Sequence, residues 1–355
     1  MVSILGMLSF LLIALASYEG TKGKEGFFYV AVFASMLTGV SQSMGEATFL
    51  GCLKGFPSHL VGFVSSGTGF AGITANVINL VLQGVGLTNQ IIFLVVTPTI
   101  VVYFFCSRWL ILQKETYPYI TPNDDKLQLL NSQEEDEHVI NHARVLEERK
   151  KLNQTGESSL HHSKQSGARR ESKNVVLTPS VLIQIFPKVS LLILNLASVY
   201  FFEYSIITCF ADRMGDHMAQ LYPERADSFL IKEYFVILNY CYQIGVFISR
   251  SSLQYIKIKR VTVLSILQAI NFVFLFLNTK YMFCQTLWVL CPLLIWVGLM
   301  GGASYVNVMH GILELDTLEK TEREAALVLS LMFNDTGVLS AAIFSLIIDN
   351  TLFKV

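Results

Sequence analysis

Charge is scarce in this chain. Asp, Glu, Lys and Arg make up 15% of its 355 residues, where a soluble domain carries about 25%. What charge there is lies bunched: residues 113–178 hold 10 basic and 11 acidic side chains. The rest is too apolar for a soluble globule, with mean hydropathy +0.50 over the chain. The six cysteines, at 52, 106, 209, 241, 284 and 291, include no CxxC pair. They lie in or beside apolar blocks and read as small buried hydrophobes, with a lumenal Cys209–Cys284 disulfide as the alternative. There is no HExxH, no P-loop, no GxSxG in a strand–helix setting and no aspartate pair with protease-like spacing, so hydrolase and nucleotide chemistry find no foothold. No metal site or cofactor is expected, and a net charge of −1 without a strongly basic face gives nucleic acid nothing to bind.

What is present is a series of long apolar blocks. A helix crosses a bilayer core of about 30 Å with about 20 apolar residues, and backbone inside lipid must satisfy its own hydrogen bonds. Nine blocks predict helices over 1–17, 27–53, 60–83, 89–112, 183–210, 229–250, 259–278, 286–310 and 327–349. The fold class is therefore all-α: a polytopic helical bundle of about nine transmembrane helices. It divides into an N-terminal bundle (1–112, four spans), a disordered polar loop (113–182) and a C-terminal bundle (183–355, five spans). Ala14-Leu15-Ala16 before Ser17 resembles a cleavage site, but no Lys or Arg precedes the first block, which favours a membrane helix over a signal peptide.

Short loops are nearly balanced in charge, so two regions set orientation. The central segment is basic near both ends, at Arg108 and Lys114 and at Arg169, Arg170 and Lys173; the loop after the sixth block carries Arg250, Lys257, Lys259 and Arg260 without an acid. Nine spans put both on one face, read as cytosolic, with residues 18–26 and the carboxyl end in the lumen. The central segment is too polar to order itself, apart from a surface helix over Glu134–Leu152. Its sequon at Asn153 is expected to stay unmodified in the cytosol, as is the one at Asn334 inside a span. Asp125-Lys126-Leu127-Gln128-Leu129-Leu130 fits an acidic dileucine signal, with Asp125 for an adaptor cation and Leu129 and Leu130 for an apolar pocket.

Five stretches carry a family resemblance: Gly45–Leu50, Ser65–Gly72, Val199–Tyr204, Gly245–Leu253 and Gly301–Asn307. In these the chain resembles the battenin family of lysosomal membrane proteins. The resemblance implies a fold like the major facilitator superfamily, two helical bundles about a central cavity, with about eleven spans. Six of those precede the cytosolic loop in the family; four do here, so the resemblance implies that the first two helices are lacking. The family's carboxyl-terminal prenylation-type Cys motif has no counterpart in 350–355.

A charged side chain at a membrane helix centre costs roughly 2.5–3.5 kcal/mol, so polar residues within the blocks are the candidates for function. Glu46, Glu203 one turn after Tyr200, and Asp335 are the intramembrane acids; each lines a cavity, binds a polar substrate or takes up a proton, or else staples a neighbouring helix. Asn239, Gln243 and Arg250 share one helical face, able to meet an anion or to anchor the boundary. Asn307 and His310, with Ser304, share another. Ser66 and Thr68 lie in a stripe of small residues over Gly62–Gly72, suited to close helix approach or to exposing backbone to substrate. The expected partners are a small polar metabolite with possible proton coupling, membrane lipids, and sorting adaptors at the loop. The resemblance implies a lysosomal, late endosomal or vacuolar membrane protein that exports such metabolites, glycerophosphodiesters foremost, with basic amino acids and lysosomal pH also associated. The competing reading is a scaffold or trafficking factor acting through loop 113–182.

Overall fold

A computed structural model describes residues 1–20, 26–53, 59–116, 179–225 and 228–353. The dileucine motif, the expected surface helix, the sequon at Asn153 and Arg169, Arg170 and Lys173 lie outside them. The chain forms two compact units, Met1–Ile111 with Val175–Val355, and Leu112–Asn174.

The described residues are helical throughout, without strands. The order is α1 (Val2–Gly20), α2 (Phe27–Leu53), α3 (His59–Gly84), α4 (Asn89–Val96), α5 (Pro98–Thr116), α6 (Pro179–Ser205), a π-helical turn (Ile206–Ala211), α7 (Asp212–Leu221), a 3-10 turn (Pro223–Arg225), α8 (Phe229–Lys232), α9 (Tyr234–Ser251), α10 (Val261–Tyr281), α11 (Leu287–Leu313) and α12 (Lys320–Thr351). By length and composition, six stretches among the described residues can cross a membrane: Phe27–Phe49, Asn89–Leu110, Val181–Leu221, Val261–Tyr281, Leu287–Leu313 and Glu322–Thr351. The expected first span is a shorter apolar helix, Val2–Tyr18. The expected third and sixth, α3 and α9, are not among the six. Their polar faces turn to each other, which lets such helices lie within a bundle.

Several boundaries differ from expectation; the sixth block divides into α8 and α9 at Glu233, and three other differences have a local reason. The fourth block breaks into α4 and α5 at Pro98, which has no N–H to continue the ladder; the Thr97 hydroxyl bonds back to Phe93 O at 2.7 Å. The fifth runs beyond 210 through the π-turn into α7, whose polar turns ride out of the apolar zone with Arg213 paired to Asp349 and, at 3.7 Å, to Asp216. The ninth starts early because Glu319 and Glu322 form a capping box, the reciprocal bonds that satisfy a helix's first N–H groups. Glu322 also meets Lys188 of α6 at 2.8 Å.

The C-terminal helices pack tightly. α11 lies between α6 and α9 and buries Leu290, Leu294, Val297 and Val306. Close approach comes from glycine: a Cβ on Gly245 of α9 would strike Ile295 O, and one on Gly298 of α11 would strike Tyr242 O. Lipid offers no hydrophobic drive between helices, so such contacts carry their association. α6 and α12 run parallel, joined at Lys188–Glu322, at Ala197–Gly337, and at Thr208–Ser345 (3.3 Å). The outer faces are apolar and open, as with Val102, Phe105 and Trp109 of α5, which suits a lipid solvent.

Candidate functional site

The costly side chains converge where α2, α3, α6, α9 and α11 meet. Arg250, in the last turn of α9, reaches across to α3, donating from Nη1 to Thr68 Oγ1 at 2.6 Å and from Nη2 to the Tyr200 hydroxyl of α6 at 3.0 Å. Its guanidinium carbon stands 4.5 Å from the centroid of the Tyr305 ring, a cation–π contact. Tyr305 in turn donates its hydroxyl to Glu46 Oε1 of α2 at 2.5 Å. One helical turn beyond Tyr200, buried Glu203 accepts from the Tyr242 hydroxyl of α9 at 2.5 Å. Tyr200 and Tyr204 stack at 5.8 Å between centroids.

The local sequence dictates this placement. Tyr200, Glu203 and Tyr204 fall at i, i+3 and i+4, one face of α6. Gly301 lets that face approach α11, since a Cβ there would land on the Glu203 carboxylate. Gly69 does the same for α3 against α9, where a Cβ would stand 3.0 Å from Phe247 Cα.

The electrostatics are incomplete. Arg250 makes no ion pair among the described residues, and its partners are two hydroxyls and a ring. Its Nε is buried without a hydrogen bond, and so is Glu203 Oε2. Buried charge normally demands full pairing. Here tyrosines hold one cation and two carboxyl groups near each other without joining them. A guanidinium in this state can take phosphate or carboxylate in two-pronged fashion, and a carboxyl oxygen without a partner can take a proton or a donor.

Of the other expected residues, Asn239 and Gln243 also face α3: Asn239 donates to Asn76 Oδ1 at 3.2 Å, and Gln243 lies against Gly72. Ser66 bonds Ser251 at 2.7 Å. The face shared by Asn239, Gln243 and Arg250 is thus the α3–α9 seam. Asp335 sits apart, accepting from Ser43 at 2.9 Å, and ties α12 to α2. Asn307 and His310 are not brought to the cluster. Asn307 Oδ1 accepts from the Ile258 amide at 2.6 Å and holds the α9–α10 connection. His310 Nε2 is 3.1 Å from Glu314 Oε1, close enough for an ion pair but off line for a hydrogen bond. One turn of α11 separates Asn307 from Ala303, and its side chain points away from Tyr305. Sequence reasoning missed Tyr242 and Tyr305 as carboxyl partners and Gly301 as the residue making room. Tyr305 and Gly301 lie within the Gly301–Asn307 stretch, the one signal that marked them.

A cleft of about 750 Å³ lies elsewhere, lined by Ser17, Tyr18, Gln83, Thr88, Lys232 and Glu233 among others. Gln83 is fifteen residues beyond Thr68 on α3, about 22 Å along the axis at 1.5 Å per residue.

Comparison with known proteins identifies the family. The family model described as CLN3 protein matches residues 1–355. Battenin of Dictyostelium discoideum is 33% identical over 331 residues, covering 91% of this chain and 73% of its own length. Protein BTN1 of Eremothecium gossypii is 26% identical over 355 residues (96% and 79%), and battenin of Canis lupus familiaris 26% over 342 (95% and 66%). No solved structure matches the chain. With the family model spanning every residue and a relative above 30% identity, this multi-pass helical membrane protein belongs to the battenin, or CLN3 protein, family.

Proposed function

We propose that this protein works as a transporter of the endolysosomal or vacuolar membrane, exporting small polar metabolites, with glycerophosphodiesters as the favoured class. The observation that carries the reading is Arg250: a half-buried guanidinium, its Nε sealed from solvent, drawn from α9 to the N-terminal helix α3 and held only by hydroxyls and a ring. A phosphodiester is a singly charged, two-oxygen acceptor flanked by hydroxyls. It matches a guanidinium with a free Nε and neighbouring tyrosine hydroxyls. Glu46 and Glu203, each bonded to a single tyrosine, supply sites for proton uptake in the same cycle. Alternating access would break and remake the contacts between α3 and α9 about this point. The six apolar spans support the membrane assignment; the compartment and the cargo rest on the site chemistry and the resemblance.

The experiment is efflux of labelled glycerophosphodiester from isolated lysosomes that lack the endogenous protein and carry either this chain, Glu203→Gln, Arg250→Gln, or a deletion of 113–178. The reading requires that both substitutions stop efflux and that the deletion, if correctly delivered, does not. Normal efflux in Glu203→Gln and Arg250→Gln, with loss on deleting the loop, would overturn it in favour of a scaffold acting through the loop.

A further inference from the structure

The 750 Å³ cleft described above has poles of opposite sign. On one wall stands the N-terminus of α4, with Thr88 as N-cap and Asn89 and Gln90 lining the cleft. The first amides of a helix have no intrahelical acceptor, and Thr88 makes no side-chain cap bond to relieve them. This end therefore attracts an anion, and the exposed Lys232 ammonium stands on the same cleft. On the other wall is Glu233, the N-cap of α9. It is 8% exposed, lines the cleft, and does not turn back to cap its own helix. Among the described residues its carboxyl group has no ion pair and no hydrogen bond. Between the poles Gln83 donates its amide to Asn89 at 3.4 Å, which leaves Gln83 Oε1 buried without a partner.

A carboxylate that is nine-tenths buried and unpaired is costly, and on this cleft that cost is met by a ligand that brings N–H groups and positive charge. The α4 end and Lys232 call for the reverse. The volume falls in the range of small-molecule sites, roughly 300–1,000 Å³. We infer that the cleft is a binding site for a small zwitterion, its ammonium group on Glu233, its anionic group on the α4 N-terminus and Lys232. It deepens the transporter reading, on which it rests for its meaning as an entry site: the α3–α9 seam is fastened from Ser66 to Asn76, and Gln83 of α3 and Glu233 at the head of α9 line the cleft beyond it.

The test uses the full chain in lipid nanodiscs and calorimetric titration with 4-aminobutyrate, butylamine and butyrate, which present both charges or either alone. The zwitterion should bind at least tenfold more tightly than each single-charge probe. Glu233→Gln should weaken 4-aminobutyrate and butylamine at least tenfold and leave butyrate unchanged; Lys232→Met should weaken 4-aminobutyrate and butyrate and leave butylamine unchanged. Lys232 is exposed, so its variant tests the anionic pole even if Glu233→Gln fails to fold. Absence of 4-aminobutyrate binding to the unmodified chain, equal affinities for all three probes, or indifference to both substitutions would overturn the inference. Lost binding with intact efflux sinks this site alone; lost efflux dependence on Glu203 with intact binding sinks the transporter reading alone.

Discussion

Gly301→Ala separates packing from chemistry more sharply than any other change in this molecule. Gly298 and Gly301 lie one turn apart on α11, but a Cβ meets different things at each. At 298 it strikes the Tyr242 carbonyl and comes to 2.9 Å from Val246 N, so α9 and α11 must separate. At 301 its three nearest atoms all belong to the Glu203 carboxylate, the far end of a flexible side chain. Gly298→Ala is therefore an overpacking lesion of about 1–3 kcal/mol, which lowers the melting temperature of the purified protein. Gly301→Ala displaces Glu203 from Tyr242 and leaves the helices in place. A hydrogen bond to a charged group contributes about 1.5–3 kcal/mol, and each 1.36 kcal/mol is tenfold in rate. Transport should thus fall on the order of tenfold to a hundredfold at little loss of thermal stability. Tyr242→Phe removes the same bond from the other side, so the double variant should lose no more than the worse single one. A Gly301→Ala protein as unstable as Gly298→Ala, or one with full activity, or losses that add in the double variant, would refute this account of the Glu203 site.

Three further outcomes follow from the same geometry. Arg250→Lys keeps the charge but cannot reach Thr68 and Tyr200 at once while lying on Tyr305; efflux should drop at least tenfold with unchanged expression, and recovery of normal efflux would exclude a forked role. Glu322→Ala removes the back-bond to Glu319 N and the Lys188 contact; hydrogen exchange should speed up over residues 322–326 and not around Gly337, at a cost of about 1 kcal/mol. Leu129→Ala with Leu130→Ala should shift the protein from late endosomes to the cell surface by fractionation, and an unchanged distribution would discard the dileucine reading.

The architecture was legible because the bilayer leaves little choice. Every apolar block is helical, the fourth and the sixth each in two pieces, and their spacing alone puts Asn239, Gln243 and Arg250 on one face and Tyr200 beside Glu203. The differences come from forces that apolar content does not register. Pro98 divides α4 from α5, a capping box moves the start of α12 to Lys320, and Arg213 with Asp349 carries the fifth block on into α7. Composition even undercounts: α9 falls below the hydropathy of a spanning helix because it spends its polar residues on α3, Asn239 on Asn76 and Arg250 on Thr68.

The cluster itself was half legible, and the missing half has one physical character. A scarce charge announces itself in an apolar block, so Glu46, Glu203 and Arg250 stood out; a tyrosine does not, being at home in any membrane protein interior or interface. Whether its hydroxyl meets a carboxylate depends on how two helices rotate against each other, and that rotation is set by glycines a turn away. Gly301 fixes the distance from α11 to α6, and Gly298 with Gly245 fixes α9 against α11. Tyr242 and Tyr305 come to Glu203 and Glu46 as a result. His310 shows the opposite case. It is a titratable residue in the same helix as Tyr305, five positions on, yet a rotation of 500° at 100° per residue carries it away to Glu314 and the helix end. In a bundle held by close glycine contacts, then, the neutral small residues decide which charged residues meet, and a search for function confined to the charges finds the actors without finding what brings them together.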